Sequence, residues 1–552
     1  RQRQMCIRDR IKLKKDNNVM SFEDVIGNVE IKDNVIITPD KRYVTIVEIA
    51  PINFDYKTAL DKEKIIEGFA QLTKIGPVTM QIKSLSRRAD VNKYINVLNH
   101  DFALEKDSHL KPYQDDYMRL IKRLGVYSGL SRRFFIVLEA CGNDTEKIKS
   151  FDDAVYYLDK AKQTIRRFIR NCGNAVIRHG DEKNFLINTL YEFANKNKTI
   201  YDLKERKQAF YDEAKRITDN DEELLDNFNV PVSTLVSPEK IEFYSEYCVV
   251  DGTYYSFLYI PSKEYPSRIS YAWLTGIICG AEGIDVDIFV DKKDSKSMKN
   301  KLRTKIRINK ARMNTMKNTE GENYEEIGKS IQSSAYIRNR LNSGEDFFYV
   351  TTMFTLSASS LEELYEKNSA VKDMFGAIDV DLNECEYKIK EAFSSYMPLN
   401  TLDPYIYGKG KRNMTTSGLS AFYPFNSFEV SDTDGILLGI SDNKTMLVVD
   451  NFDTSKYSNA NITLLGTSGA GKTFTLQTMC LRFRLKGVQT FVITPEKGDE
   501  FERGCKAVNG EFITISSGSK SRINIMEIRP NNSDNTQRLG FSSKKDRQSI
   551  LS

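Results

Sequence analysis

The residues of this chain best suited to chemistry are Gly466, Thr467, Ser468, Gly469, Ala470, Gly471, Lys472 and Thr473, an unbroken G-x-x-x-x-G-K-[ST]. Glycines without a Cβ let backbone N–H groups converge on the oxygens of a polyphosphate. In that chemistry Lys472 neutralises the β- and γ-phosphates, and the Thr473 hydroxyl is a ligand for Mg²⁺. The eight residues spell the binding site of a nucleoside triphosphate.

The flanks must position this loop. Asn461-Ile462-Thr463-Leu464-Leu465 is a short β-branched, apolar run of the kind that fills a buried parallel strand. After the loop, Leu476, Met479, Cys480 and Phe483 recur at helical spacing, Arg482, Arg484 and Lys486 follow, and Gly487 is placed to stop the helix. The expected helix aims its positive N-terminus at the phosphates. Two further strands are expected at Val488–Ile493 and Phe512–Ile515.

Turnover needs a carboxylate near Mg²⁺ and a group that orients water. No apolar run ending in Asp-Glu follows Lys472. Glu496, Asp499 and Glu500 sit at the end of an expected strand, where they either approach the phosphates or cap a helix starting near Asp499. Capping is the simpler reading, and the catalytic residues are expected beyond Ser552.

With 552 residues and 40% hydrophobic side chains the chain is long enough for about three domains with cores of their own. A net charge of +5 is too small to indicate nucleic acid by itself. No run reaches the roughly 18 apolar residues of a membrane span, so any membrane contact is peripheral. Eight scattered cysteines without a C-x-x-C pair read as reduced core thiols, and three histidines without metal spacing exclude a structural zinc.

Residues 21–200 read as β-α-β, a charged helical insertion near 88–124, then β-α-β, and residues 201–398 repeat that order with a second insertion to about 343. We expect two ferredoxin-like α+β halves. The second insertion holds seven Lys and three Arg from Lys292 to Arg312 against the single Asp294. Such a run either contacts DNA or anionic lipid or is a solvated helix face. Residues 399–422, richer in Pro, Gly and Asn, are expected as a linker, and 423–552 as the N-terminal part of a P-loop domain. Residues 1–20 are expected as a tail, its first ten residues extraneous.

Tyr423-Pro424-Phe425, Val448-Val449-Asp450-Asn451-Phe452, Asn459-Ala460-Asn461, Gly466–Thr473, Thr494–Glu500, Gly510-Glu511-Phe512-Ile513 and Arg522-Ile523-Asn524-Ile525 together resemble a known family. It is that of the large transport ATPases of type IV secretion and conjugation systems, the TraC/TrbE/CagE type. The likeness covers nearly all of residues 21–530 and is most specific over 423–527. It implies an α/β and α+β multidomain protein, a duplicated N-terminal α+β region followed by an incomplete RecA-like domain, with ATP and Mg²⁺ as cofactors. It further implies a hexamer on the inner face of the bacterial cell membrane, partnered by inner-membrane complex proteins of the secretion system and by a coupling ATPase. Thr494-Pro495 departs from the Asp-Pro frequent in relatives, which removes an acidic role at 494. A DNA-translocating motor of the FtsK/HerA kind and a nucleotide-binding scaffold without turnover remain alternatives at this stage.

Overall fold

A computed structural model describes residues 18–516 and 519, apart from internal stretches at 56, 76–77, 89–90, 128–129, 142–147, 149, 218–229, 267–268, 277–282, 316–321, 427–431, 433, 441–445, 455–456, 458 and 496–498. The chain divides into two compact units. The first comprises residues 1–91, 123–432 and 438–449, the second 92–122, 433–437 and 450–552.

In the first unit the leading half runs β1 (Tyr43–Ala50), α1 (Ala59–Leu72), β2 (Val78–Arg88), the insertion α2 (Asn92–Leu104) and α3 (Lys111–Tyr127), β3 (Leu130–Ala140), α4 (Phe151–Asn171) and β4 (Ala175–Val176). Most of the insertion belongs to the second unit. The trailing half runs β5 (Thr253–Tyr259), β6 (Ile284–Lys293), the insertion α5 (Ser295–Thr315) and α6 (Glu322–Asn342), β7 (Phe347–Ala358), α7 (Leu361–Gly376) and β8 (Asn383–Glu384). Of the helix expected near 268–279, residues 269–276 are described and form an irregular stretch and a turn, with only Thr275 and Gly276 helical; the rest lies outside the described residues.

Pairing follows one scheme in both halves. β4, β1, β3 and β2 lie in that order, all antiparallel, and so do β8, β5, β7 and β6. The halves join through β2 and β6, from Met80 opposite Val290 to Ser84 opposite Val286, and complete one 14-stranded sheet. The repeated element order read from the sequence is therefore a repeated strand order in space. The last strand of the trailing half is Asn383–Glu384 rather than Ala377–Val380, because α7 continues to Gly376 and Ala377–Asp379 turn.

Local sequence explains the covering helices. Ser150 and Asp153 form a capping box at the start of α4, and Ala154, Leu158, Ala161, Ile165 and Ile169 then bury one stripe. Ser360 caps α7 with nearly the same backbone angles and accepts from the Glu363 N–H. One sheet face packs Ile82, Phe134, Ile136, Val286 and Phe354 beneath such helices. The other packs Phe135, Val137, Phe257 and Phe289 with Phe193, Phe393 and Tyr396.

The stretch after Leu399 is no linker. It contains α8 (Pro404–Gly410), β9 (Arg412–Thr415), which pairs with β7, and α9 (Thr416–Ser420). Tyr423 and Phe425 are fully buried. The Tyr423 hydroxyl donates to Asn174 Oδ1 at 2.6 Å, and the Phe425 carbonyl accepts from Ile52 N at 3.1 Å. Buried apolar side chains and the backbone pairing of β9 with β7 overrode the loop-like composition.

Among the described residues no helix is long and apolar enough to cross a membrane. Six described cysteines are free thiols, and burial pushes the Cys172 thiol up to about 12.

Candidate phosphate-binding loop

Beyond the hairpin strands β10 (Ile436–Ile440) and β11 (Met446–Val449), the loop enters α10 (Lys472–Leu485). Gly469 and Gly471 have φ of 80° and 82°, and Gly471 is the N-cap residue. A left-handed backbone costs other L-residues strain, so the glycines set the turn that aims the loop at the helix start. At Gly466 a Cβ would stand 3.3 Å from Ala470 Cβ, tight enough to spread the loop.

The Lys472 ammonium donates to the Gly466 carbonyl at 2.8 Å and the Thr467 carbonyl at 2.6 Å, folding its side chain across the loop. Ala470 N–H donates to the Thr467 carbonyl at 3.3 Å. The amides of Thr467 to Gly469 and of Gly471 to Phe474 have no acceptor among the described residues. Thr475 Oγ1 donates to the Gly471 carbonyl at 3.1 Å, whereas the Thr473 hydroxyl has no partner among the described residues. The arrangement combines unpaired amides, the positive end of a 14-residue helix and one ammonium group, which is the chemistry an anion needs. The residues fit a triphosphate, and the Thr473 hydroxyl stands at the motif position that would ligate its metal ion.

The far end of α10 is secured within the same unit by the α2–α3 insertion. Gly487 has φ 82°; its N–H donates to the Arg484 carbonyl and that of Val488 to the Phe483 carbonyl, both at 3.0 Å. That is the helix stop expected from the sequence. Gln114 Nε2 donates to the Leu485 carbonyl at 3.0 Å, and Arg484 pairs with Glu105 at 2.5 Å. Glu105 is held below the ordinary carboxylate range, first by the Asp107 amide and then by Arg484. Burial opposes the charge on Lys486, but the carboxylates of Asp434 and Asp101 outweigh it and raise its pKa. Arg482 lies over the Tyr117 ring, 5.4 Å from its centre, and donates to the Leu437 carbonyl. Sequence reasoning read these three cations only as helix-end residues; Tyr117, Glu105 and Asp101, which they meet, lie more than 300 positions upstream.

Three expectations differ. The runs 461–465, 488–493 and 512–515 show no strand ladder, and Leu465, Phe491 and Ile493 are 90%, 80% and 95% exposed. A parallel strand is stable only with neighbours and covered faces, and none is present among the described residues. Asp499 and Glu500 sit in the first turn of α11 (Asp499–Ala507), where acidic side chains favour the helix dipole, while Glu496 lies outside the described residues. α11 is tied to α10 by Gln477 Nε2, which donates to the Glu500 carbonyl at 2.8 Å.

Fold and loop together define a mixed α/β chain of two compact units with a glycine-rich turn at a helix N-terminus. No protein-family model matches the sequence, and no curated protein matches it significantly.

Proposed function

We propose that the chain is a P-loop nucleotide-binding protein. The reading is carried by one observation: among the described residues the amides from Thr467 to Phe474, save that of Ala470, have no acceptor at the start of α10, with Lys472 folded across the loop. In this reading Gly466–Lys472 hold the phosphates of ATP and Thr473 contributes to Mg²⁺. Bound Mg²⁺ supplies positive charge to the phosphate oxygens; this chain's residues bind, orient and shield them.

More particularly, we read the protein as the energising ATPase of a conjugative type IV secretion apparatus. Support comes from the motif series between Tyr423 and Ile525, from the duplicated β-α-β-insertion-β-α-β order and from its 4-1-3-2 strand arrangement, which suits ferredoxin-like halves. A RecA-like domain, a hexameric state, inner-membrane complex partners and a peripheral position on the cell membrane belong to the same proposal.

The test is equilibrium binding of a fluorescent ATP analogue with Mg²⁺ to wild type and Lys472→Ala. Loss of at least about tenfold in affinity with an unchanged melting curve is expected. Equal affinities would remove the loop from any role in binding nucleotide.

A further inference from the structure

Helix α5 carries eight Lys and Arg residues and no Asp or Glu. Its apolar residues Met298, Leu302 and Ile306 are buried together with Asn309, whose Nδ2 donates to Ser330 Oγ of α6 at 3.2 Å. One side of α5 is thus consumed by α6. At about 100° per residue, the cations fall into two rows beside the outward ridge. Lys296, Lys299, Arg303, Arg307 and Lys310 follow one another at steps of three or four along one flank, and Lys301, Lys305 and Arg312 line the other. Between them the ridge presents Ser297, Asn300, Thr304, Ala311 and Thr315, with Ile308 at its border, all exposed.

None of these eight cations has an ion-pair partner among the described residues. Just upstream the chain does pair its charges: Lys292 with Asp346 at 3.0 Å and Lys293 with Asp291 at 2.7 Å. Among the described side chains the exposed acids on the neighbouring helix are Glu325 and Glu326, and Glu325 is engaged by Lys329 of its own helix at 3.1 Å. Like charges at i, i+4, as in Lys299–Arg303–Arg307, destabilise an isolated helix. Among the described residues the fold leaves that repulsion to solvent and counterions and supplies no carboxylate to relieve it, so a polyanion seated on α5 gains by relieving it.

We propose that α5 is a docking surface for duplex nucleic acid, seated in the major groove with its two rows of cations against the two phosphate strands. The major groove, about 12 Å wide, admits an α-helix. Rows that point sideways from the helix reach the walls of a concave groove, while small polar ridge residues can approach base edges without steric conflict. A planar anionic membrane fits less well, since interfacial helices bury an apolar face in lipid and that of α5 is already spent on α6. Ile308, 46% exposed beside Lys305, is the one large apolar side chain left outside. Single strands are also disfavoured, because α5 has no aromatic residue on which a base could stack. Contacts of this kind are mainly to phosphates, so sequence preference is expected to be weak.

The experiment is fluorescence anisotropy of a labelled DNA duplex with the full chain over a series of salt concentrations. Wild type should bind with log affinity falling linearly in log salt, by about 0.9 per phosphate contacted. Arg303→Glu combined with Arg307→Glu should weaken binding at least about tenfold and flatten the slope, with melting unchanged because both side chains are exposed. Arg303→Lys with Arg307→Lys should retain most of the affinity. Lys472→Ala, measured without nucleotide, should bind the duplex like wild type, which separates this surface from the phosphate loop. Equal duplex affinity of wild type and the charge-reversed variant overturns the proposal. So does tighter binding to single strands, or a charge-reversal effect seen only on phosphatidylserine vesicles.

Discussion

Lys83 and Asp287 stand directly opposite each other where β2 pairs with β6, and they form an ion pair sealed from solvent, the side chains 1% and 0% exposed. Lys83 Nζ also donates to the Tyr396 carbonyl at 2.5 Å, and Gln81 Nε2 to Asp287 Oδ1 at 2.8 Å. Next to them Asp285 receives Lys196 at 2.7 Å and the Tyr396 hydroxyl at 3.0 Å. The seam between the two halves is thus a buried polar network. Taking these charges from water costs about what their attraction returns, so the pair specifies register more than it adds stability.

Removing one partner strands the other. Lys83→Met is expected to destabilise the first unit by about 3–5 kcal/mol, and Lys83→Met with Asp287→Leu to recover most of that loss. Denaturant unfolding of the three proteins measures both. A double variant no better than the single one would show that the neighbours Gln81 and Tyr396, not the charge pair, dominate the seam.

The same pair sets a pH dependence. Burial, against the opposing pull of Lys83, raises Asp287 from 3.8 to about 6. A carboxyl with a raised folded pKa favours folding when protonated, so its contribution is present below 3.8 and is lost as pH rises through about 6. Relative to Asp287→Asn, wild-type melting temperature should therefore fall as pH increases across that window. A constant difference would mean that Asp287 does not titrate there.

In the loop, Gly469→Ala and Gly471→Ala have room for the methyl group, since nothing stands within 4 Å of the added Cβ. Their cost is conformational, about 1–2 kcal/mol each for a left-handed alanine, carried by the loop rather than by a core. The expected outcome is weakened binding of the ATP analogue with global melting nearly unchanged. Full affinity in both variants would show that the loop does not need these dihedrals to hold its ligand.

At the other end of α10, Lys486→Met leaves Asp101 and Asp434 without their cation and should cost about 1–3 kcal/mol. Hydrogen exchange of the last turn of α10 and of α2 reports it, because both lie in the second unit. Protection unchanged in both segments would reduce this contact to a surface ion pair of little weight.

Much of the local structure was legible in the residues themselves. The glycine turn at Gly469 and Gly471, the start of α10 after it and the helix stop at Gly487 are consequences of side-chain size and spacing over a few positions. The repeated order of elements was legible for the same reason, since each strand and helix announces its own period.

Contacts between distant segments were decided only by the folded chain. Lys83 and Asp287 are 204 positions apart, and neither residue type nor spacing names the other as partner. Likewise, 399–422 looks like a linker by composition yet packs into the fold, because β9 pairs with β7, and the following Tyr423 and Phe425 are held by hydrogen bonds with Asn174. Apolar runs at 461–465 and 488–493 promise strands, but a ladder needs a neighbour as well as a propensity. Backbone preferences are written residue by residue, whereas pairing and burial depend on which surfaces meet, and that is a property of the whole fold.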